Sequence, residues 1–235
     1  MDLEIYEKLA RVFRAGTLDI MLTEPIDVKN IIRKLNILTL YRPMSEKSYG
    51  LSLKTSDGDC FMLINSSSSR GRQHFTVAHE LYHLYIDENP KPHICRDTNE
   101  KSQTEKDADY FASALLMPED GIFKMIKPQE VAGDKISIPT IIKLEQYFSV
   151  SRQALLIRLE RLKIISKSKC KQMGEIPVKD SAARYGYGTI LYEPGNENVI
   201  LGDYGEKARL LFENGTISEG HYLELINLLR DGKRG

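Results

Sequence analysis

The tightest constraint on this chain is a pair of histidines four residues apart, His79 and His83. They sit in an apolar, periodic stretch from Gln73 to Tyr85 that contains no Pro or Gly. Four residues is close to one α-helical turn, so the spacing predicts that both imidazoles leave the same helix face and reach a common point. His79-Glu-Leu-Tyr-His83 is HExxH, two nitrogen ligands for one zinc ion. Glu80 is displaced from that pair and is placed instead to take a proton from water on the metal. With five histidines in the chain, chance alone yields this pattern about 0.01 times. The motif needs support from elsewhere in the sequence.

That support lies about 20 residues downstream. A zinc site that does chemistry needs a third protein ligand and one open position. Glu105-Lys-Asp-Ala-Asp109 opens a second periodic stretch, predicted helical from about Gln103 to Met117 and stopped by Pro118. Glu105 supplies the third ligand. Asp109, one turn on, is placed to accept a hydrogen bond from a ligand histidine's other nitrogen. Asp107 lies on a different face and is the weaker candidate. HExxH followed by ExxxD on two helices is far more specific than either half.

The rest of the chain sets the context. Its 235 residues carry 33 basic and 33 acidic side chains, which argues against a surface built wholly for nucleic acid or anionic membrane. No apolar run reaches the length of a membrane span, and the first residues lack the layout of a signal peptide. Cys60, Cys95 and Cys170 are far apart and without CxxC or ligand spacing. They read as reduced, ordinary residues in a cytoplasmic protein. Helices are expected over residues 3–15 and after the N-cap Asp27, and a hairpin from strands 49–54 and 60–65. The 60–65 strand reads either as an exposed sheet edge, to which an extended substrate adds by strand pairing, or as an ordinary internal strand. Residues 166–184, basic and containing Gly and Pro, read as a linker. Beyond it a hairpin (189–192 with 198–201) and two short helices form a small C-terminal α+β appendage, residues 185–235.

The residues also carry a family resemblance. Arg72-Gln-His-Phe-Thr-Val-Ala-His-Glu-Leu-Tyr-His83, followed by Glu105-Lys-Asp-Ala-Asp-Tyr-Phe-Ala-Ser-Ala-Leu-Leu-Met-Pro118, closely resembles the ImmA/IrrE metallopeptidases. Their usual text is RxRFTxAHELGH and then ExxANxFAxxLLMP. The likeness runs from about residue 25 to 165. It implies an α+β fold: a zincin-like domain over 1–165, mostly helical around a small three-stranded sheet, with helix-turn-helix-like helices at about 136–165. It also implies a zinc endopeptidase that cleaves a repressor of the helix-turn-helix type and so derepresses a mobile element, prophage or stress regulon. Two positions depart from the pattern. Tyr82 replaces the usual glycine, and Asp109 replaces the usual asparagine but keeps the acceptor.

Several assignments stay open on sequence alone. Tyr82, Tyr110, His93 and Asn65 are candidates for contacting the oxyanion or the substrate, each with a structural alternative. Residues 138–171, with Arg152, Arg158, Arg161, Lys163, Lys167, Lys169 and Lys171 against Glu160, read as a DNA-binding element or as a packing subdomain with a solvated positive face. The balanced charge favours the second. Residues 185–235 read as a regulatory or substrate-recruiting module or as a stabilising appendage. A latent protein that binds its regulator without cutting it is the main alternative to the peptidase.

Overall fold

The structure, a computed structural model, describes residues 4–45, 47–88, 93–96, 102–132 and 134–231. Helix α1 (Glu4–Val12) runs into a π-helical stretch, Phe13–Leu18. There Arg14 is fully buried and donates to the carbonyls of Leu115, Met21 and Glu24. A guanidinium without water must satisfy its donors internally, so Arg14 ties the N-terminal segment to the end of a later core helix. Helix α2 (Val28–Lys34) begins as the sequence predicts, with the Asp27 carboxylate accepting from the N–H groups of Lys29 and Asn30.

Strands β1 (Leu38–Arg42), β2 (Ser48–Lys54) and β3 (Cys60–Asn65) follow. β2 and β3 form the expected antiparallel hairpin, whereas β1 joins β3 in parallel. Helix α3 (Arg70–Tyr85) carries HExxH. Strand β4 (His93–Arg96) and helix α4 (Gln103–Leu116) come next, α4 capped by Ser102 Oγ accepting from the Glu105 N–H. α3 and α4 pack face to face through Val77, Ala78, Leu81 and Leu84 against Phe111, Ala112 and Leu115, all buried in one core.

Short helices α5 (Glu119–Met125) and α6 (Pro128–Val131) lead to the helix-turn-helix-like pair α7 (Ile138–Phe148) and α8 (Arg152–Arg161). The turn between them abuts the start of α3. A Cβ on Gly71 would lie 2.8 Å from the Ser151 nitrogen, so only glycine permits this approach.

The architecture is α+β, with helices around a small mixed sheet. Three strands are expected from the sequence. Among the described residues the sheet has five, in the order β4-β2-β3-β1-β5, with β5 the two-residue strand Ile200–Leu201. β3 is therefore internal, and the outer strands are β4 and β5; the sheet-edge alternative for Cys60–Asn65 falls. The extra strands are too short to signal themselves in sequence, since strand identity at this length is set by the neighbouring ladder.

Two further expectations are corrected. The 166–184 segment, read as a linker, contains helices α9 (Lys167–Gly174) and α10 (Val178–Arg184), with Met173, Ser181 and Ala182 buried. The expected hairpin of 189–192 with 198–201 does not form. Ile190–Tyr192 is a single 3₁₀ turn, and Ile200–Leu201 pairs with β1 instead. Helices α11 (Tyr204–Glu213) and α12 (Glu219–Asp231) form a helical hairpin, the last of the described elements.

The positive stripe on α8 is also smaller than the sequence suggests. Arg152 and Arg158 are buried. Arg152 pairs with the equally buried Glu145, and Arg158 with Glu7 and the Met117 carbonyl. The stripe is reduced to Arg161 and the lysines 163, 167, 169 and 171, because arginines within a packed helix pair are used as internal connectors.

Candidate metal centre

The long unbroken α3 presents His79 and His83 one turn apart, buried at 1% and 5% exposure. Their Nε2 atoms lie 3.3 Å from each other. Glu105, in the first turn of α4, closes the triangle: Oε2 is 3.4 Å from His79 Nε2 and Oε1 is 3.5 Å from His83 Nε2. Ligands about 2.0–2.1 Å from a tetrahedral metal are separated by about 3.3–3.4 Å, so this triangle has the edge lengths of a four-coordinate site. Two imidazoles and a carboxylate are a donor set that suits a metal such as zinc.

The outward nitrogens are also held. His79 Nδ1 lies 3.0 Å from Asp109 Oδ1, and His83 Nδ1 lies 3.4 Å from Asp87 Oδ2. Such contacts fix the tautomer that leaves Nε2 free to ligate. Burial, the largest influence on His79, disfavours its charged form. Asp109, Cys95 and Glu105 outweigh it and hold the imidazole well above its ordinary value. The pocket thus favours a positive charge at this point, as a divalent cation would supply.

Glu80 is fully buried, and its Oε2 accepts from Ser52 Oγ at 2.6 Å. A Glu80 carboxylate oxygen, a His79 ring nitrogen and the Cys95 sulfur all lie within 4.8 Å of one another. A cleft of about 360 Å³ opens here, between α3, the β2–β4 side of the sheet, α4 and α8. Its walls include Phe75 and Ile157 as well as His79 and Cys95. A carboxylate beside a potential metal and an open cleft can accept and return a proton.

A family model described as IrrE N-terminal-like domain, Peptidase_M78, matches residues 32–160, more than half of the chain. The chain belongs to this family. Peptidase_M78 membership makes it a metallopeptidase at the family level. A comparison with curated proteins finds no match. The Peptidase_M78 match contains all of His79, Glu80, His83, Glu105 and Asp109, helix α7 and all of α8 but Arg161, while α9 to α12 lie beyond it. No helix of the described residues is long and apolar enough to cross a membrane.

Of the oxyanion and substrate candidates, the structure brings none of the described side chains to the metal cluster as a free donor. Asn65 is buried, accepting from the N–H groups of Met44 and Ser67 and donating to the Ser48 carbonyl. It clamps the loop between β1 and β2. Tyr82 packs edge-on against His83 and against Phe111 of α4, and burial raises its hydroxyl pKa. Tyr110 stacks on Tyr6, with the Arg161 guanidinium over its ring. His93 lies on β4, with its backbone in register with Ser52; its side chain lies outside the described residues. His74 Nδ1 donates to the Ser149 carbonyl at 2.8 Å, a structural contact.

Sequence reasoning missed three residues here. Asp87 follows His83 by one turn, and that i+4 spacing was legible. Ser52 and Cys95 were not, because they arrive on neighbouring strands that only the sheet register brings beside α3.

Proposed function

We propose that this chain is a cytoplasmic zinc endopeptidase whose substrate is a transcriptional repressor of the helix-turn-helix type, cleaved to derepress a mobile element, prophage or stress regulon. The observation that carries the peptidase chemistry is the 3.3–3.5 Å triangle of His79, His83 and Glu105, of which His79 lines an open cleft. In this reading those three side chains hold the zinc, and Asp109 and Asp87 orient the two imidazoles. Zinc, when bound, supplies Lewis acidity that brings the pKa of a water toward ~7. Glu80, oriented by Ser52, takes the proton from the attacking water and passes it to the leaving amine. The repressor as substrate follows from the resemblance to ImmA/IrrE sequences. The cytoplasmic setting follows from three free thiols.

The test pairs zinc content with cleavage of a helix-turn-helix repressor encoded beside this protein. Wild-type protein is expected to bind about one zinc per chain and cut the repressor. Glu80→Gln should keep the zinc and lose about 10²–10⁴ of the rate. Zinc-loaded protein that binds the repressor and leaves it intact would overturn the reading in favour of a latent binding protein. Sequence-specific, steeply salt-dependent DNA binding would point to the regulator reading.

A further inference from the structure

Two guanidinium groups line the cleft and make no carboxylate ion pair within 4.0 Å among the described residues: Arg72 and Arg161. Both are held by aromatic rings. Arg72 lies over Tyr49, 4.5 Å from the ring centroid, and donates to Gln153 Oε1 at 3.3 Å. Arg161 lies over Tyr110 at 4.4 Å. A guanidinium carries five N–H donors, so each keeps most of its hydrogen-bonding capacity while its plane is fixed. Stacked arginines of this kind are pre-organised for carboxylates.

Helix geometry spaces the cleft positions along each wall. Arg72 is seven residues before His79, two turns along the same face of α3, which is about 10 Å of helix rise. Gln153, the partner of Arg72, and Arg161 are eight residues apart on the cleft-facing side of α8, about 12 Å. Between them on that side lie Ala154 and Ile157, with Phe75 across the cleft. The α8 wall of the opening is therefore apolar in the middle, with Arg161 at one end and Gln153, which holds Arg72, at the other. An extended peptide advances about 3.3 Å per residue and repeats its face every second residue, so side chains at i and i+4 project from one face about 13 Å apart.

We propose that Arg72 and Arg161 are specificity-determining residues that select an extended segment of a protein substrate carrying acidic side chains four positions apart, with an apolar side chain midway seated on Ile157 and Phe75. The proposal rests on the peptidase reading for the nature of the occupant, a stretch of protein substrate. It names the chemistry by which that occupant is chosen. Two acidic side chains act on Arg161, Asp109 and Glu160; Asp109 is already engaged with His79 and Glu160 with Cys170, so the incoming carboxylate takes the outward donors.

The test uses binding, so that it does not depend on cleavage. In zinc-loaded Glu80→Gln protein, a fluorescein-labelled nonapeptide with two Asp four apart and Leu midway is titrated by anisotropy. An Asn-for-Asp version and an isomer with the two Asp adjacent serve as controls. The spaced Asp peptide is expected to bind about ten-fold more tightly than either control. Arg72→Gln and Arg161→Gln should each erase most of that preference while retaining zinc and the wild-type melting temperature. Arg161→Glu should turn the preference toward a Lys peptide. Equal binding of the three peptides, or a preference that survives both Gln variants, overturns the proposal. If the preference holds but protein with Glu80 intact cuts none of the peptides and no repressor, the selectivity stands and the peptidase reading alone fails.

Discussion

His79 Nδ1 and Asp109 Oδ1 lie 3.0 Å apart, with the imidazole's other nitrogen turned to the His83–Glu105 side. The carboxylate sets which nitrogen is available to a metal, and any uncharged acceptor in the same place keeps that function with less basicity. Asp109→Asn is therefore expected to weaken zinc binding by less than ten-fold. Asp109→Ala should cost about 10–100-fold, and Asp87→Ala a smaller loss because its contact to His83 is longer, at 3.4 Å. Competition with a chromogenic chelator measures all three.

Metal and proton compete for His79. Its folded value is raised above 6.5 by Asp109, Cys95 and Glu105 against the opposing effect of burial. Without metal, the stabilisation from this charged imidazole is fully present below the unfolded value and lost as pH rises through the folded one. Zinc affinity has the opposite slope: it should climb about ten-fold per pH unit above 6.5 until that proton is gone. Melting curves with chelator and with excess zinc should diverge as the pH rises, the gap following the usual ligand linkage. A gap that does not change with pH would refute the coupling.

Arg152 and Glu145 form a buried pair, joined by the Tyr192 hydroxyl donating to Glu145 Oε2 at 2.7 Å and by Arg152 donating to Ser181 Oγ at 3.2 Å. Arg152→Ala leaves a buried carboxylate uncompensated and is expected to cost about 3–5 kcal/mol in urea denaturation at neutral pH. Burial already raises the Glu145 carboxyl, and loss of the arginine raises it further. The deficit should shrink as pH falls and that carboxyl becomes neutral. A surface arginine acting on DNA would give no such stability loss.

The chain beyond residue 185 divides in an unexpected place. The Arg70 N–H, at the start of α3, donates to the Glu193 carbonyl, and Gln73 donates to the Gly195 carbonyl and accepts from Asn196. These contacts, with β5 on β1, make residues 193–201 part of the body that positions the metal helix. Truncation after residue 202 removes mainly the α11–α12 hairpin and is expected to keep zinc binding and cost under about 2 kcal/mol. Truncation after 184 strips the N-terminus of α3 of its partners and should cost more than that. Denaturation curves of the two truncated proteins decide it.

The helices of the site were legible because their signals are local. The end of α3 and the extent of α4 follow from unbroken periodicity and Pro118, although α3 begins at Arg70, before the expected Gln73, and the HExxH and ExxxD spacings place ligands on one face each whatever the surroundings. The same locality explains the failures. Ile190–Tyr192 and Asn198–Leu201 have strand-like composition, yet one is a 3₁₀ turn and the other pairs with β1, because partner choice for short strands depends on distant chain. Basic residues on α8 look solvated in a linear reading; two of them are internal connectors, a fact carried by Glu7 and Glu145 and not by their neighbours in sequence.

By itself the sequence determined the donor types, their helical spacing and the fold class, since each depends on the geometry of a single helix or on a family pattern. Only the tertiary structure decided that the three donors meet at metal-site distances, that Ser52 and Asp87 hold Glu80 and His83, and that Arg72 of α3 reaches Gln153 at the start of α8 while Arg161 stands at its end. Those relationships join residues up to 89 positions apart, Arg72 and Arg161 being the widest. Helix periodicity reaches only a few turns along the chain, so contacts at that range are set by how α3, α4, α8 and the sheet pack into one core.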